Sequence, residues 1–151
     1  MEIREDDVTG PAIVRLLESH LENMKEITPP ESVHALGVDR LRSPEITVWS
    51  AWDGDVLLGC GALKILGPTS GEIKAMRTAD AHRSKGVGSS VLEHIIAEAR
   101  RRGYHHLYLE TGASADFTAA QRLYERYGFE YRGPFGDYVD DPNSVFMAKG
   151  L

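Results

Sequence analysis

At 151 residues and 16.7 kDa the chain is most simply one domain, residues 1–151, large enough to bury a core. Hydrophobic content of 42% and charged content of 26% are ordinary for a globular protein, and a formal charge of −6 argues against a general nucleic-acid binder, which would show a basic face. One cysteine, Cys60, excludes an internal disulfide and favours a reducing compartment. MEIREDDVTG lacks the apolar core of a signal peptide and no apolar run is long enough to span a bilayer, so a cytoplasmic protein without a membrane partner is expected.

Met1 to Arg4 reads as a short first strand. From Pro11, residues Ile13, Leu16, Leu17, Leu21 and Met24 recur at helical spacing, with Pro11 suited to an early helical position. This helix must end before Thr28-Pro29-Pro30, because the residue preceding a proline is pushed out of helical geometry. Glu31 to Leu36 is expected to form a second short helix, stopped by Gly37. Ile46 to Trp52 and Val56 to Leu66 are two strands joined at Asp53-Gly54-Asp55, a strong hairpin signal, and Gly59 and Gly61 point to a bulge in the second of them. Glu72 to Thr78 follows as a fourth strand.

Next comes a turn, Arg83-Ser84-Lys85-Gly86-Val87-Gly88, and a patterned helix with Val87, Val91, Leu92, Ile95, Ile96 and Ala99 on one face. Strand, glycine turn and helix N-terminus in that order make an anion site: the first helical turn leaves N–H groups unpaired, the helix dipole is positive there, and Arg83 and Lys85 add charge. Gly103 stops the helix. His105 to Glu110 is a fifth strand, and the strand–helix–strand order implies a parallel pair. A last helix runs from about Asp116 to Tyr127. Phe129 to Arg132 and Ser144 to Lys149 are the final strands. The reading is an α+β domain of seven strands and four helices.

Two motifs and the element order give this reading a family. Arg83-x-x-Gly86-x-Gly88 between the right strand and the right helix, and Leu123-Tyr124-Glu125-Arg126-Tyr127-Gly128-Phe129 at the end of the last helix, resemble the pyrophosphate loop and the Leu-Tyr-x-x-x-Gly-Phe signature of the GCN5-related N-acetyltransferase (GNAT) superfamily, single-domain type. The order strand, two helices, three strands, helix, strand, helix, two strands is similar to that family throughout. The resemblance implies a mixed, twisted sheet whose fourth and fifth strands splay apart, and acetyl-coenzyme A as cosubstrate without a metal. Its pyrophosphate would lie on Ser84 to Gly88 and the adjoining Ser89, assisted by Arg83 and Lys85, and its pantetheine arm along Met76 and Thr78. Two positions depart from the family: Asp80 where proline is common, and Phe117 where an asparagine often assists the coenzyme arm.

The implied reaction is direct acetyl transfer to a primary amine. An alkylammonium starts near pKa ~10.4, so a proton acceptor is useful, and the thiolate needs a proton donor as it leaves. The resemblance makes Tyr124 the acid. Glu72, at the same offset from the glycine loop as the glutamate of the histone-acetylating branch, is the candidate base. A strand-edge glutamate and a sheet-packing tyrosine are the bland alternatives. The acceptor is expected between Pro29, Pro30, His34, Leu36 and Arg40 on one side and Phe135, Asp137, Tyr138 and Asp140 on the other, where aromatics and carboxylates could hold an ammonium. A small or amino-acid-like amine is preferred to a peptide, because no extended groove is evident. The competing readings are a protein or peptide N-acetyltransferase of the same fold and a coenzyme A-binding regulatory module without turnover. A nucleotide-hydrolysing loop is disfavoured, since the Gly-Lys-Ser/Thr ending is missing. The histidines offer no zinc spacing: adjacent His105 and His106 point to opposite faces of a strand. Cys60 reads as a buried thiol. Many members of the family dimerise, and Trp49 or Phe146 on exposed strand faces could contribute to a homodimer.

Overall fold

A computed structural model describes residues 1–151. Seven strands form one sheet: β1 (Glu2–Asp6), β2 (Ile46–Asp53), β3 (Val56–Gly67), β4 (Ser70–Thr78), β5 (His106–Gly112), β6 (Glu130–Arg132) and β7 (Ser144–Gly150). Their spatial order is β1-β2-β3-β4-β5-β7-β6, antiparallel everywhere except between β4 and β5. Four helices cover it: α1 (Pro11–Ile27), α2 (Val38–Leu41), α3 (Val87–Arg101) and α4 (Thr118–Arg126). The seven-stranded α+β expectation and its element order are met. The second helix is the exception: Pro30–Ser32 makes one 3-10 turn, and α2 begins only after Gly37. The two prolines fix an early turn, and Gly37 serves as a helix N-cap rather than a stop.

Two cores lie on opposite faces of the sheet. On one, Val87, Val91, Leu92, Ile95, Ile96 and Ala99 of α3 are buried against Ile73, Leu107, Leu109 and Met147, as the helical periodicity required. Burial of each of the larger of these side chains contributes on the order of 1.5–3 kcal/mol. On the other face Ile13 and Leu17 of α1 and Leu41 of α2 pack on Ile46, Val48, Cys60 and Ala62. Trp49 and Phe146, expected on exposed faces, are 3% and 4% exposed, so neither is available to a dimer contact. Burial pushes the Cys60 thiol up to about 12, which leaves it protonated and inert.

The parallel pair opens the site. β4 and β5 are in register only from Ser70↔His106 to Ile73↔Leu109. Beyond that point β4 stays with β3, ending at Gly59↔Thr78, while β5 stays with β7, ending at Gly112↔Ser144. The divergence is helped by a bulge in β4: Lys74 to Arg77 span only Ala62 to Cys60 of β3, with Ala75 at φ 52°. The glycine-bearing β3 has its own irregularity against β2, where Ala51 pairs with Gly59 and Trp52 with Leu57.

Candidate active site

A cavity of about 780 Å³ fills the V between β4 and β5 and continues to both faces of the sheet. Its lining runs from Met76, Thr78 and Arg83 through Gly86, Val87, Gly88 and Ser89 to Ala120, Leu123 and Tyr124 of α4. On the opposite face it reaches His20 and Asn23 of α1 and Ser32 to Ala35.

At the glycine turn, Gly86 is the N-cap of α3 at φ 82°, a left-handed conformation that glycine adopts without the Cβ penalty. No side chain caps the helix, so the N–H groups of its first turn remain free at the cavity wall. That is the donor set a pyrophosphate requires, and the turn fits it. Ser84 adds a second positive φ, 63°. Arg83 Nη2 lies 3.0 Å from Asp80 Oδ1, so the residue found where proline is common orients the loop's arginine. Of the expected coenzyme residues, Met76, Thr78, Arg83, Ser84, Gly86, Val87, Gly88 and Ser89 line the cavity. Lys85 does not; its Nζ is 3.3 Å from His82 Nδ1 at the exposed rim. Phe117 lines the wall as an apolar ring pressed on Gly112, where a Cβ would come within 2.1 Å of the ring. An asparagine's hydrogen bonds are therefore absent from this position.

Tyr124 is 6% exposed and faces the cavity, with its ring edge-on to Phe129. Burial, and then the charge of Glu110, push its hydroxyl well above the usual tyrosine range, so it stays protonated and can donate. Glu72 is placed differently from the expectation. It is 2% exposed and outside the cavity lining. Its Oε2 accepts from Tyr138 Oη at 2.6 Å and from Lys74 Nζ at 3.4 Å. Lys74 also donates to the His34 carbonyl at 3.2 Å and to Tyr138 Oη at 3.0 Å. Glu72 is thus sealed in a network that joins β4 to the loops beside it.

A glutamate that does line the cavity is Glu110, on β5 just past the last residue paired with β4. Burial raises it to about 7 against the attraction of Lys74. Sequence reasoning missed it because it reads as the end of a short strand. The available signal was the alternation Leu107-x-Leu109, which turns Tyr108 and Glu110 to the face away from α3.

The acceptor side also differs from expectation. Asp137 and Asp140 are exposed, and Phe135 packs on Tyr108, Tyr138 and Phe146. Asp141 instead accepts from Ser32 Oγ at 2.6 Å, and Asn143 Nδ2 reaches the same oxygen at 3.3 Å. These bonds, with the edge-on His34–Tyr138 contact at 4.9 Å, clasp the 3-10 turn to the β6–β7 loop.

Residues 13–129 match the acetyltransferase (GNAT) family. The chain belongs to that family. As a GNAT member it is an acetyl-coenzyme A-dependent N-acetyltransferase. Over all of both chains it is 58% identical to an uncharacterized N-acetyltransferase, YsnE, of Bacillus subtilis. It is 47% identical to the uncharacterized N-acetyltransferase YedL of Escherichia coli, over 99% of this chain and 94% of that one. A third relative, 38% identical over 93% of this chain and 91% of its own, is the IAA acetyltransferase of Azospirillum brasilense. Among solved structures, an acyl-CoA N-acyltransferase from Klebsiella pneumoniae superposes with a TM-score of 0.80 at 29% identity, covering 99% of this chain and 97% of that one. An aminoglycoside 6'-N-acetyltransferase bound to coenzyme A shares the fold, with a TM-score of 0.73 at 21% identity over 99% and 97%.

Proposed function

We propose that this GNAT enzyme transfers the acetyl group directly to the primary amine of a small acceptor, with Glu110 as proton acceptor and Tyr124 as proton donor. The observation that carries the reading is a carboxylate raised to about 7 in the same cavity as a protonated tyrosine. Bound acetyl-coenzyme A supplies the activated acyl group. The chain supplies the rest. Glu110 in its ionised form takes a proton from the acceptor ammonium, matched to neutral pH by its burial. Main-chain N–H groups of β4 beyond Ile73, which have no β5 partner, are available to the carbonyl oxygen as it gains charge; one well-placed donor is worth ~3 kcal/mol. The Tyr124 hydroxyl hydrogen-bonds the departing sulfur.

Glu72 serves this scheme by position. Its hydrogen bond from Tyr138 and its ion pair with Lys74 hold the acceptor wall, and no proton step is assigned to it. What favours a small acceptor over a peptide is the clasp of Ser32 with Asp141 and Asn143, which bridges the gap a peptide would have to cross.

The test is thiol release from acetyl-coenzyme A across a panel of small amines and amino-terminal peptides. A small amine should be acetylated with kcat/KM rising through about pH 7 as Glu110 ionises. Glu110→Gln should lose that limb and ~100-fold or more of the rate, the usual contribution of a positioned base. An unchanged profile in that variant removes Glu110 from the scheme; turnover of peptides alone removes the small acceptor.

A further inference from the structure

The acceptor end of the cavity is electrostatically two-sided. The β5 wall carries Glu110, and the facing side carries Lys74 and Arg77 of β4, His20 of α1 and His34 of the segment after the 3-10 turn. Its two cations, Lys74 and Arg77, stand out in a chain of formal charge −6. The two cations are not equivalent. Lys74 has three acceptors for its three donors, Glu72, the His34 carbonyl and Tyr138, and so is saturated.

Arg77 is not saturated. Its side chain is 12% exposed, and Nη1 donates to Asn23 Oδ1 at 2.9 Å, a neutral partner. Its nearest carboxylate, Asp80, is 3.6 Å from Nη2, has a 78% exposed side chain, and is shared with Arg83, which sits closer at 3.0 Å. A guanidinium carries five N–H donors in a planar fork, so most of this one's hydrogen-bonding capacity is unspent inside the cavity. Beside it, His20 Nδ1 is buried without a hydrogen-bond partner. Burial, then the charge of Arg77, hold His20 down at about 4, so the ring is neutral at pH 7 and one of its nitrogens carries a hydrogen it can offer. A largely buried, weakly compensated arginine next to an unpaired imidazole is costly without an anion and becomes satisfied with one.

We propose that Arg77, with Asn23 and His20, forms a carboxylate-binding subsite, and that the acceptor is an amine that also bears a carboxylate, an α-amino acid or a close analogue. This rests on the acetyl-transfer reading above and adds the group that selects the acceptor. The ammonium faces Glu110 and the carboxylate faces Arg77 across the V. The bidentate geometry of a carboxylate on a guanidinium then fixes the acceptor's orientation relative to the acetyl group. The same anion chemistry could come from the coenzyme, since Arg83 of the phosphate loop shares Asp80 with Arg77.

The experiment uses the protein loaded with coenzyme A and titrates it with each common α-amino acid, its carboxamide, and the matching decarboxylated amine, following the His20 ring resonances. At least one amino acid should bind and shift His20, at ~10-fold or greater advantage over its amide and its amine, the scale of charge-assisted hydrogen bonds. R77Q should abolish that advantage and R77K should restore only part of it, because lysine keeps the charge and loses the fork. Coenzyme A affinity in R77Q should stay within about twofold of wild type. Equal binding of acid and amide, or no binding by any amino acid, overturns the subsite. So does a ~10-fold loss of coenzyme affinity in R77Q, which assigns Arg77 to the coenzyme's phosphates. Binding is read apart from turnover: amino acids that bind at Arg77 without being acetylated overturn the acceptor assignment, whereas failure of every small amine to be acetylated overturns the transfer scheme on which it rests.

Discussion

Among single residues the contrast between Glu72 and Glu110 is the most instructive. Both are glutamates on the central strands, and both turn away from α3. Glu72 lies in the part of β4 paired with β5 and finds two partners; Glu110 lies one residue past the part of β5 paired with β4 and finds the cavity. The position of a carboxylate relative to the point where two strands part is a tertiary fact, and no spacing in the chain encodes it. The placement of Tyr124 at the cavity was legible, because its motif ends a helix and the helix fixes where it points. Its substitution belongs at this scale too. Tyr124→Phe should lower kcat ~10-fold or more while the coenzyme dissociation constant moves less than twofold, since a phenol hydrogen bond to a leaving sulfur acts mainly in the transition state. Steady-state kinetics with calorimetric coenzyme titration would check it, and an unchanged kcat would remove Tyr124 from the chemistry.

Strands and helices were read with more success than loops. The α3 face, the hairpin at Asp53-Gly54-Asp55 and the parallel β4–β5 pair all follow from local rules: apolar period, turn chemistry and crossover length. The Glu31–Leu36 helix failed because prolines and a glycine carry two meanings each, and tertiary packing decided between them. The tip of β5 shows how closely one element can depend on another. Gln121 Nε2 of α4 donates to the Gly112 carbonyl at 2.7 Å, and the Phe117 ring lies on the Gly112 α-carbon. Gly112→Ala should push that ring into the coenzyme wall. Overpacking costs of about 1–3 kcal/mol place the expected rise in the coenzyme dissociation constant near 10-fold. Coenzyme affinity unchanged in the variant would mean the ring moves outward instead.

For the whole molecule, the clasp between the 3-10 turn and the β6–β7 loop closes one side of a cavity that the splay opens on another. Its residues are far apart in the chain, Ser32 and Asp141 by 109 positions, which is why no local pattern in the sequence pointed to it. No helix is long and apolar enough to cross a membrane.

The parting of β4 and β5 has a kinetic consequence. A β-sheet is ordinarily a partition, with separate environments on its two sides. Here the partition has a doorway, lined by α4 residues on one side and α1 residues on the other. Two reactants entering from opposite sides do not exclude one another, so donor and acceptor can be present at once, which is what the proposed direct transfer needs. Double-reciprocal plots at varied concentrations of both should therefore intersect, whereas parallel lines would reveal a shuttle through a covalent intermediate.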